Sequence, residues 1–155
     1  MAIDPAGNTY VGDRFNFRVR KVASGGAVTT LAGSGVAAFA DGTGAGASFN
    51  FPAGVTIGGS GAIFVGDMYN RRVRRITPGG VVSSLAGSGA WGFLDGTGTG
   101  ALFSDLWGLA ADSGDNVFVA DIFNHRIRRV NPNGVVTTLA AVSYTHLTLP
   151  TIYSV

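Results

Sequence analysis

The chain of 155 residues is long enough for one ordinary domain, and 46% of its residues are hydrophobic, enough to bury a core. Eleven basic residues, ten of them Arg, oppose nine Asp, and the net charge of +2 gives little attraction to nucleic acid, which we do not expect as a partner. The absence of Cys excludes disulfides and thiolate metal sites, and no run of 18 apolar residues predicts a membrane span.

Three copies of one motif organise the chain. They read "GDRFNFRVRKV", "GDMYNRRVRRI" and "ADIFNHRIRRV", and they begin at residues 12, 66 and 120, a period of 54 residues. The same offset aligns "LAGSG" at 31 with "LAGSG" at 85, and "DGTGAGASF" at 41 with "DGTGTGALF" at 95. A regular period of this kind predicts repeated units that bury a core between neighbours.

Each 54-residue repeat is predicted to contain four short strands. In the second copy they are residues 54–58, 62–66, 71–76 and 81–87, and the second is a continuous apolar run, as expected for a strand buried on both faces. The turn "DMYN" leads into the third strand, and its Asn suits a position with positive φ. Frequent Gly excludes a helical solenoid. Four antiparallel strands per period predict an all-β fold, an open arc of β-propeller blades.

We divide the chain into blades, Gly-rich connectors and a tail. The predicted segments are a clipped first blade at 1–33, a connector at 34–53, a second blade at 54–87, a connector at 88–106, a third blade at 107–140 and a tail at 141–155. Phe93 and Phe103 are expected to anchor the second connector. About two and a half blades would leave apolar blade faces uncovered, so we expect self-association; two copies could in principle pair to approximate a six-bladed ring.

The repeat resembles the NHL-repeat family of β-propellers, in the bacterial form with long Gly-rich segments between blades. The resemblance rests on "NVFVAD" (116–121), on Asn124, Arg126 and Arg128, and on "VTTLAGSG" (28–35) and "FADGTGAGASF" (39–49). It covers residues 1 to about 140. It implies a propeller, commonly six-bladed, that acts mostly as a rigid binding scaffold, while some lyases and lactonases share the general architecture.

The two ends depart from the repeat. Met1 aligns with Val55, so the chain begins inside the first strand of a blade. The N-terminus lacks the regions of a signal peptide, so we expect either synthesis without a signal or a true start upstream. The tail "AVSYTHLTLPTIYSV" resembles translated sequencing-adapter sequence, and we expect it to be non-native.

An Asp, an Asn and two Arg recur in every copy. Arg residues at alternate positions of a strand share a face, and the Asp lies across the hairpin from them. Because every blade carries the set, we predict a structural network that holds the hairpin and the blade junction; the alternative is a row of basic edges that binds an anion. The predicted network is Asp13, Asn16, Arg18, Arg20, Asp67, Asn70, Arg72, Arg74, Asp121, Asn124, Arg126 and Arg128.

Positions that differ between copies are candidates for specificity. Arg71 and His125 occupy one such turn position, and Trp91 replaces Ala37 in a connector; these three are the candidate ligand contacts. Arg14 occupies another variable position, and Trp107 is expected to pack between blades. Asp41 and Asp95, in "DGTG", are expected to cap their own turns rather than bind Ca²⁺.

We predict no catalytic, cofactor-binding or metal-binding residue in the chain. The predicted function is a non-enzymatic scaffold that presents loops to a protein or carbohydrate partner, in a parent protein exported from a bacterium. One alternative is a propeller enzyme, lactonase-like or lyase-like, whose active site lies in blades outside this chain. A further alternative is an architectural or adhesive repeat module.

Overall fold

The computed structural model describes residues 1–142, which form three antiparallel sheets in series. The first sheet contains β1 (Ala2–Ile3), β2 (Thr9–Asp13), β3 (Arg18–Val22) and β4 (Val28–Ala32). The second contains β5 (Gly42–Thr43), β6 (Pro52–Ile57), β7 (Ile63–Asp67), β8 (Arg72–Ile76) and β9 (Val81–Ala86). The third contains β10 (Gly96–Thr97), β11 (Leu106–Ala111), β12 (Val117–Asp121), β13 (Arg126–Val130) and β14 (Val135–Ala141).

The predicted all-β propeller architecture is confirmed, and the four predicted strands of the second copy correspond to β6, β7, β8 and β9. The second and third sheets each gain a fifth strand from the connector. β5 pairs with β9 and β10 pairs with β14, so the connector that leaves one sheet completes the next. Residues 1–142 contain no α-helix and thus no helix long and apolar enough to cross a membrane.

The turn between the second and third strands of each sheet is a short 3-10 turn. The residue that adopts a positive φ there is not the Asn but the residue after it: Phe17 at 53°, Arg71 at 51° and His125 at 52°. The expectation for Asn was therefore wrong. In every copy the Asn is the last residue of the 3-10 turn. Its side chain donates a hydrogen bond to the Asp three residues earlier.

The core lies between consecutive sheets rather than within one. Val19 and Phe49 pack with Val55 and Val65 between the first and second sheets. The next interface repeats this arrangement, with buried residues of the second sheet packed against β11, β12 and β13. Each sheet therefore has apolar side chains on both faces, as the continuous run at residues 62–66 predicted.

Glycine lets neighbouring sheets approach closely, as Gly12 shows. A Cβ atom built on Gly12 would lie 2.3 Å from the carbonyl oxygen of Pro52, in the second sheet. No side chain fits that space, because backbone atoms cannot move aside as the end of a side chain can. The Gly that opens the first copy of the motif is thus required by the contact between sheets.

Candidate functional site

Arg74 is fully buried and joins its own sheet to the preceding connector. Its Nη1 donates to Asp67 Oδ2 at 2.6 Å and to the Ser48 carbonyl at 3.1 Å. Its Nη2 donates to Asp41 Oδ1 and to the Ala40 carbonyl, both at 2.7 Å. Four hydrogen bonds from one planar guanidinium fix the connector against β8 in a geometry that a Lys ammonium does not reproduce.

Arg128 repeats this arrangement in the third sheet. It donates to Asp121 Oδ2 and to Asp95 Oδ1, each at 2.8 Å. Its other acceptors are the carbonyls of Leu102 and Leu94. These five residues lie 54 positions after their counterparts around Arg74, so the whole network has the period of the sequence.

The buried carboxylate of Asp67 accepts three hydrogen bonds. The Asn50 N–H donates to Oδ1 at 2.7 Å, and Asn70 Nδ2 and Arg74 Nη1 donate to Oδ2. Burial raises the pKa of Asp67 above its ordinary value, and these donors together with the positive charge of Arg74 act against that rise. The carboxylate therefore depends on its donors to remain ionised inside the protein.

An aromatic ring from the connector lies beside the two arginines of each strand. In the second sheet the Phe39 ring centre is 3.8 Å from Arg72 Cζ and 4.9 Å from Arg74 Cζ. In the third, Phe93 lies 3.8 Å from Arg126 Cζ and 4.8 Å from Arg128 Cζ. Phe103 is fully buried, so both predicted connector anchors contact the repeat.

The first copy of the set is incomplete. Asn16 donates to Asp13 at 2.9 Å, but Arg20 donates to Thr30 Oγ1 and forms no ion pair within residues 1–142. Arg18 donates to the Ser34 carbonyl at 3.2 Å.

The expectation that Asp41 and Asp95 cap their own turns was wrong. Asp41 accepts hydrogen bonds from Arg74 and from the N–H and hydroxyl of Ser84. Asp95 accepts the equivalent bonds from Arg128 and Thr138. These carboxylates therefore join connector and sheet across more than 30 residues of sequence. Sequence spacing alone gave no sign of it, because the connector carries no strand pattern.

The three predicted ligand contacts lie in different surroundings. Arg71 is half-buried in the turn before β8, where its Nη1 donates to the Tyr69 carbonyl at 3.3 Å. Trp91 is 61% exposed in the second connector, and His125 is exposed in the turn before β13. A ligand-binding role for these residues stays a prediction. Residues 1–142 contain no group of three His, Asp, Glu or Cys side chains positioned to hold a metal ion.

A separate cluster brings together residues of all three repeats, and we call Arg14, Phe15, Phe51, Tyr69 and Trp107 the aromatic–arginine cluster. Arg14 Cζ lies 5.1 Å from the ring centre of Trp107 and 5.5 Å from that of Phe51. The Phe51 ring is also in contact with the rings of Phe15, at 5.0 Å, and Tyr69, at 4.9 Å. Trp107 is 49% exposed, and its ring contacts Arg14, which belongs to the first copy of the motif.

Phe51 holds its ring in this cluster through an unusual backbone conformation. Its φ is 66°, in the left-handed region that bulky residues avoid. Its counterpart one period later, Asp105, has no positive φ. Strained residues of this type persist where the surrounding structure requires them, often at functional sites. Sequence comparison of the copies could have singled out this position, since Phe51 and Asp105 differ in both size and charge.

Within residues 1–142 the donors of Arg14 have no protein acceptor. Its side chain forms no hydrogen bond and no ion pair there, in contrast to those of Arg72, Arg74, Arg126 and Arg128. A guanidinium held between two rings with free N–H groups is suited to bind a carboxylate or another oxyanion through paired hydrogen bonds.

Sheets of this topology stacked face to face, with cores between them, define the chain as a series of β-propeller blades. Solved structures support this class. A Bacteroides thetaiotaomicron protein of unknown function matches with a TM-score of 0.73 and 24% identity over 84% of this chain and 33% of its own length. An auxiliary nutrient binding protein from the same organism matches with a TM-score of 0.72 and 22% identity over 88% of this chain and 36% of its own.

Virginiamycin B lyase from Staphylococcus aureus has the same fold, with a TM-score of 0.62 and 14% identity over 92% of this chain and 40% of its own. By sequence, the chain is 38% identical over 94 residues to the chloroplastic protein SUPPRESSOR OF QUENCHING 1 of Arabidopsis thaliana. That match covers 60% of this chain and 9% of the plant protein. No protein-family model matches the chain. The chain thus spans less than half of every relative named here.

Proposed function

We propose that the chain is part of an NHL-type β-propeller that works as a non-enzymatic binding scaffold, and that the aromatic–arginine cluster contacts the partner. The observation that carries the proposal is Arg14, held between the rings of Phe51 and Trp107 with its N–H donors free of acceptors in residues 1–142. The threefold repeat of Asp, Asn and Arg supports the NHL assignment. The fold shared with a nutrient-binding propeller supports a binding role.

The composition of the cluster resembles that of the energetically dominant part of an interface. Trp, Tyr and Arg are the residue types most enriched among contacts that account for binding energy. Phe15 is 76% exposed, so its burial under a partner would remove apolar surface from water. Arg14 adds selectivity, because its guanidinium favours partners with an acidic group beside an apolar surface.

The partner is a protein or a carbohydrate that offers such an acidic group. The test is calorimetric titration of the chain with acidic and neutral oligosaccharides, such as oligogalacturonate and cello-oligosaccharide, and with acidic and neutral peptides. We expect an acidic probe to bind, and Arg14→Ala and Trp107→Ala to weaken its binding about tenfold or more, equivalent to about 1.4 kcal/mol.

Phe15→Ala and Phe123→Ala form the matched pair, since each removes an exposed Phe at the same turn position and only Phe15 lies in the cluster. Equal losses in Phe15→Ala and Phe123→Ala would argue against the cluster as the binding site. Failure of every acidic probe to bind would remove the basis of the proposal. Conversion of a bound probe into products would replace the scaffold by the enzyme alternative.

A further inference from the structure

A cavity of about 150 Å³ lies at the junction of the second and third sheets. Phe64 and Arg75 line it from β7 and β8, and Asp115 and Pro132 line it from the turns before β12 and after β13. These turns are at the ends of the strands opposite to the aromatic–arginine cluster. Since a water molecule takes up about 30 Å³, the cavity has room for roughly five waters or for a ligand of similar size.

Asp115 departs from the repeat at this cavity. The other copies have Gly7 and Gly61 at its position, and Asp115 has a φ of 61°, in the left-handed region that Gly adopts most readily. Its carboxylate accepts hydrogen bonds from the N–H and the hydroxyl of Ser60, at 3.1 and 2.5 Å. The third sheet thus holds a half-buried carboxylate against the second.

Two residues beside Asp115 also depart from the repeat. Ser60 stands where the other copies have residues without a hydroxyl, and Gly58 stands where both have Asp. A Cβ built on Gly58 would lie 2.1 Å from Asp115 Oδ1, so Gly leaves room for the carboxylate. The counterparts are Ala6 and Gly114 for Ser60, and Asp4 and Asp112 for Gly58. Three matched departures place the Asp115 carboxylate at this junction for a reason that the repeat itself does not supply.

Arg75 brings the opposite charge to the same cavity. Its side chain is exposed and forms no hydrogen bond and no ion pair within residues 1–142, although Asp115 lines the same space. The guanidinium offers N–H donors, and each oxygen of Asp115 accepts one hydrogen bond and has capacity for another. A simple anion would be repelled by Asp115 and a simple cation by Arg75, whereas a ligand with both charges is attracted by both.

We propose that this cavity binds a small zwitterion, with the size and the charges of glycine or alanine. The ligand carboxylate pairs with the Arg75 guanidinium, whose planar N–H groups suit it. The ligand ammonium donates to the Asp115 carboxylate. Phe64 and Pro132 supply apolar walls beside the α-carbon. The site does not involve the aromatic–arginine cluster, so it goes beyond the scaffold function and does not depend on it.

The junction of the first and second sheets provides an internal comparison. Lys21 stands there at the position of Arg75, but the position of Asp115 is occupied by Gly61. Lys21 Nζ lies 5.8 Å from the ring centre of Tyr10, the counterpart of Phe64. This junction has a basic side chain without the matching acid, so it should not bind a zwitterion in the same way.

The test is an NMR titration of the chain with glycine, acetate, methylammonium and phenylalanine, followed at the amide signals of Ser60 and Asp115. We expect glycine to bind about tenfold or more tightly than acetate or methylammonium, because only glycine meets both charges. Phenylalanine should not bind, because it is too large for the cavity.

Arg75→Gln and Asp115→Asn should each weaken glycine binding about tenfold or more, since each removes one of the two charges. Arg75 is exposed, and Asn tolerates a positive φ and can still accept a hydrogen bond from Ser60, so both variants should keep the fold, which circular dichroism checks. Lys21→Gln is the matched control, because it removes a basic residue at the same strand position of the first sheet, and it should leave glycine binding unchanged.

Three results would overturn the proposal. The first is a wild-type chain that does not bind glycine at millimolar concentration. The second is acetate that binds as tightly as glycine, which would mean that Arg75 alone holds an anion. The third is an equal loss of glycine binding in Lys21→Gln and Arg75→Gln, which would indicate a general effect of charge rather than this cavity.

Discussion

The guanidinium of Arg74 lies 2.6 Å from the carboxylate of Asp67, and both side chains are fully shielded from water. Removing two charges from water costs free energy, and their attraction offsets this cost only when the remaining donors and acceptors also find partners. Here the two Nη atoms of Arg74 do so through Ser48, Ala40 and Asp41, and Asp67 does so through Asn70, whereas Arg74 Nε has no partner in residues 1–142. The pair thus sets where the connector crosses the sheet.

Arg74→Lys should lower the free energy of unfolding by about 3 kcal/mol, the usual cost of disrupting a buried ion pair. A Lys ammonium retains the charge but lacks the planar pair of nitrogens that meets four acceptors. Urea denaturation followed by circular dichroism measures the change. Arg20→Lys is the matched control because Arg20 lacks the ion pair, and its effect should be small. Equal losses in both variants would contradict the structural role of the network.

Gly12→Ala should lower the free energy of unfolding by roughly 1–3 kcal/mol, the range for overpacking a close contact. The added methyl group would collide with the Pro52 carbonyl of the next sheet. Gly25→Ala provides the comparison, since a Cβ there meets no atom within 4 Å. Thermal melts of the two variants check the prediction, and a melting temperature for Gly12→Ala equal to that of Gly25→Ala would refute it.

Phe39→Leu should cost about 0.5–1 kcal/mol of stability beyond the effect of side-chain size, the magnitude of an exposed cation–π contact. The Phe39 ring lies over both Arg72 and Arg74, and Leu supplies no ring quadrupole. Phe123→Leu controls for size, because Phe123 is exposed and its ring has no aromatic or cationic contact within residues 1–142. Chemical denaturation measures the loss of stability in both variants. Equal losses in Phe39→Leu and Phe123→Leu would mean that the Phe39 ring contributes only apolar contacts.

The free energy of unfolding should fall at acid pH, in part because the Asp95 carboxylate becomes protonated. Burial alone would raise the pKa of Asp95, but hydrogen bonds from Thr138 and the bond and charge of Arg128 hold it below its ordinary value of 3.8. Because the folded pKa is the lower one, the contribution is fully present above the unfolded pKa and is lost as pH falls through the folded pKa.

The measurement is the urea midpoint from about pH 5 to about pH 2. Asp95→Asn should make the midpoint less dependent on pH at the acid end, and Thr138→Val should do so in part, since it removes one donor. An acid dependence as steep in Asp95→Asn as in the wild type would exclude this carboxylate as a contributor.

Much of the fold could be predicted because the repeat is exact. Apolar strand runs such as residues 62–66 and the turn residues between them locate the main strands without any tertiary information. The fifth strands could not be found in this way. Gly42–Thr43 is a two-residue strand without apolar alternation, and only its pairing with Val81 and Val82 defines it.

The arginine positions could also be predicted only in part. Alternation along β8 correctly assigns Arg72 and Arg74 to one side, but it cannot tell which of them is buried. That depends on Asp41 and Ala40, residues of a connector whose path over the strand is a tertiary feature. Arg14 and Trp107 lie 93 positions apart in the sequence, and no local pattern predicts that their side chains meet.

The pairing of β5 with β9, and of β10 with β14, links every repeat to the one that follows it. If 54 residues were deleted between two matching points, the remaining connector would meet a sheet with the same edge and the same buried arginine. A deletion of any other length would leave an outer strand without its partner. During evolution, therefore, the number of repeats can change by duplication or loss, whereas the length of each repeat is constrained.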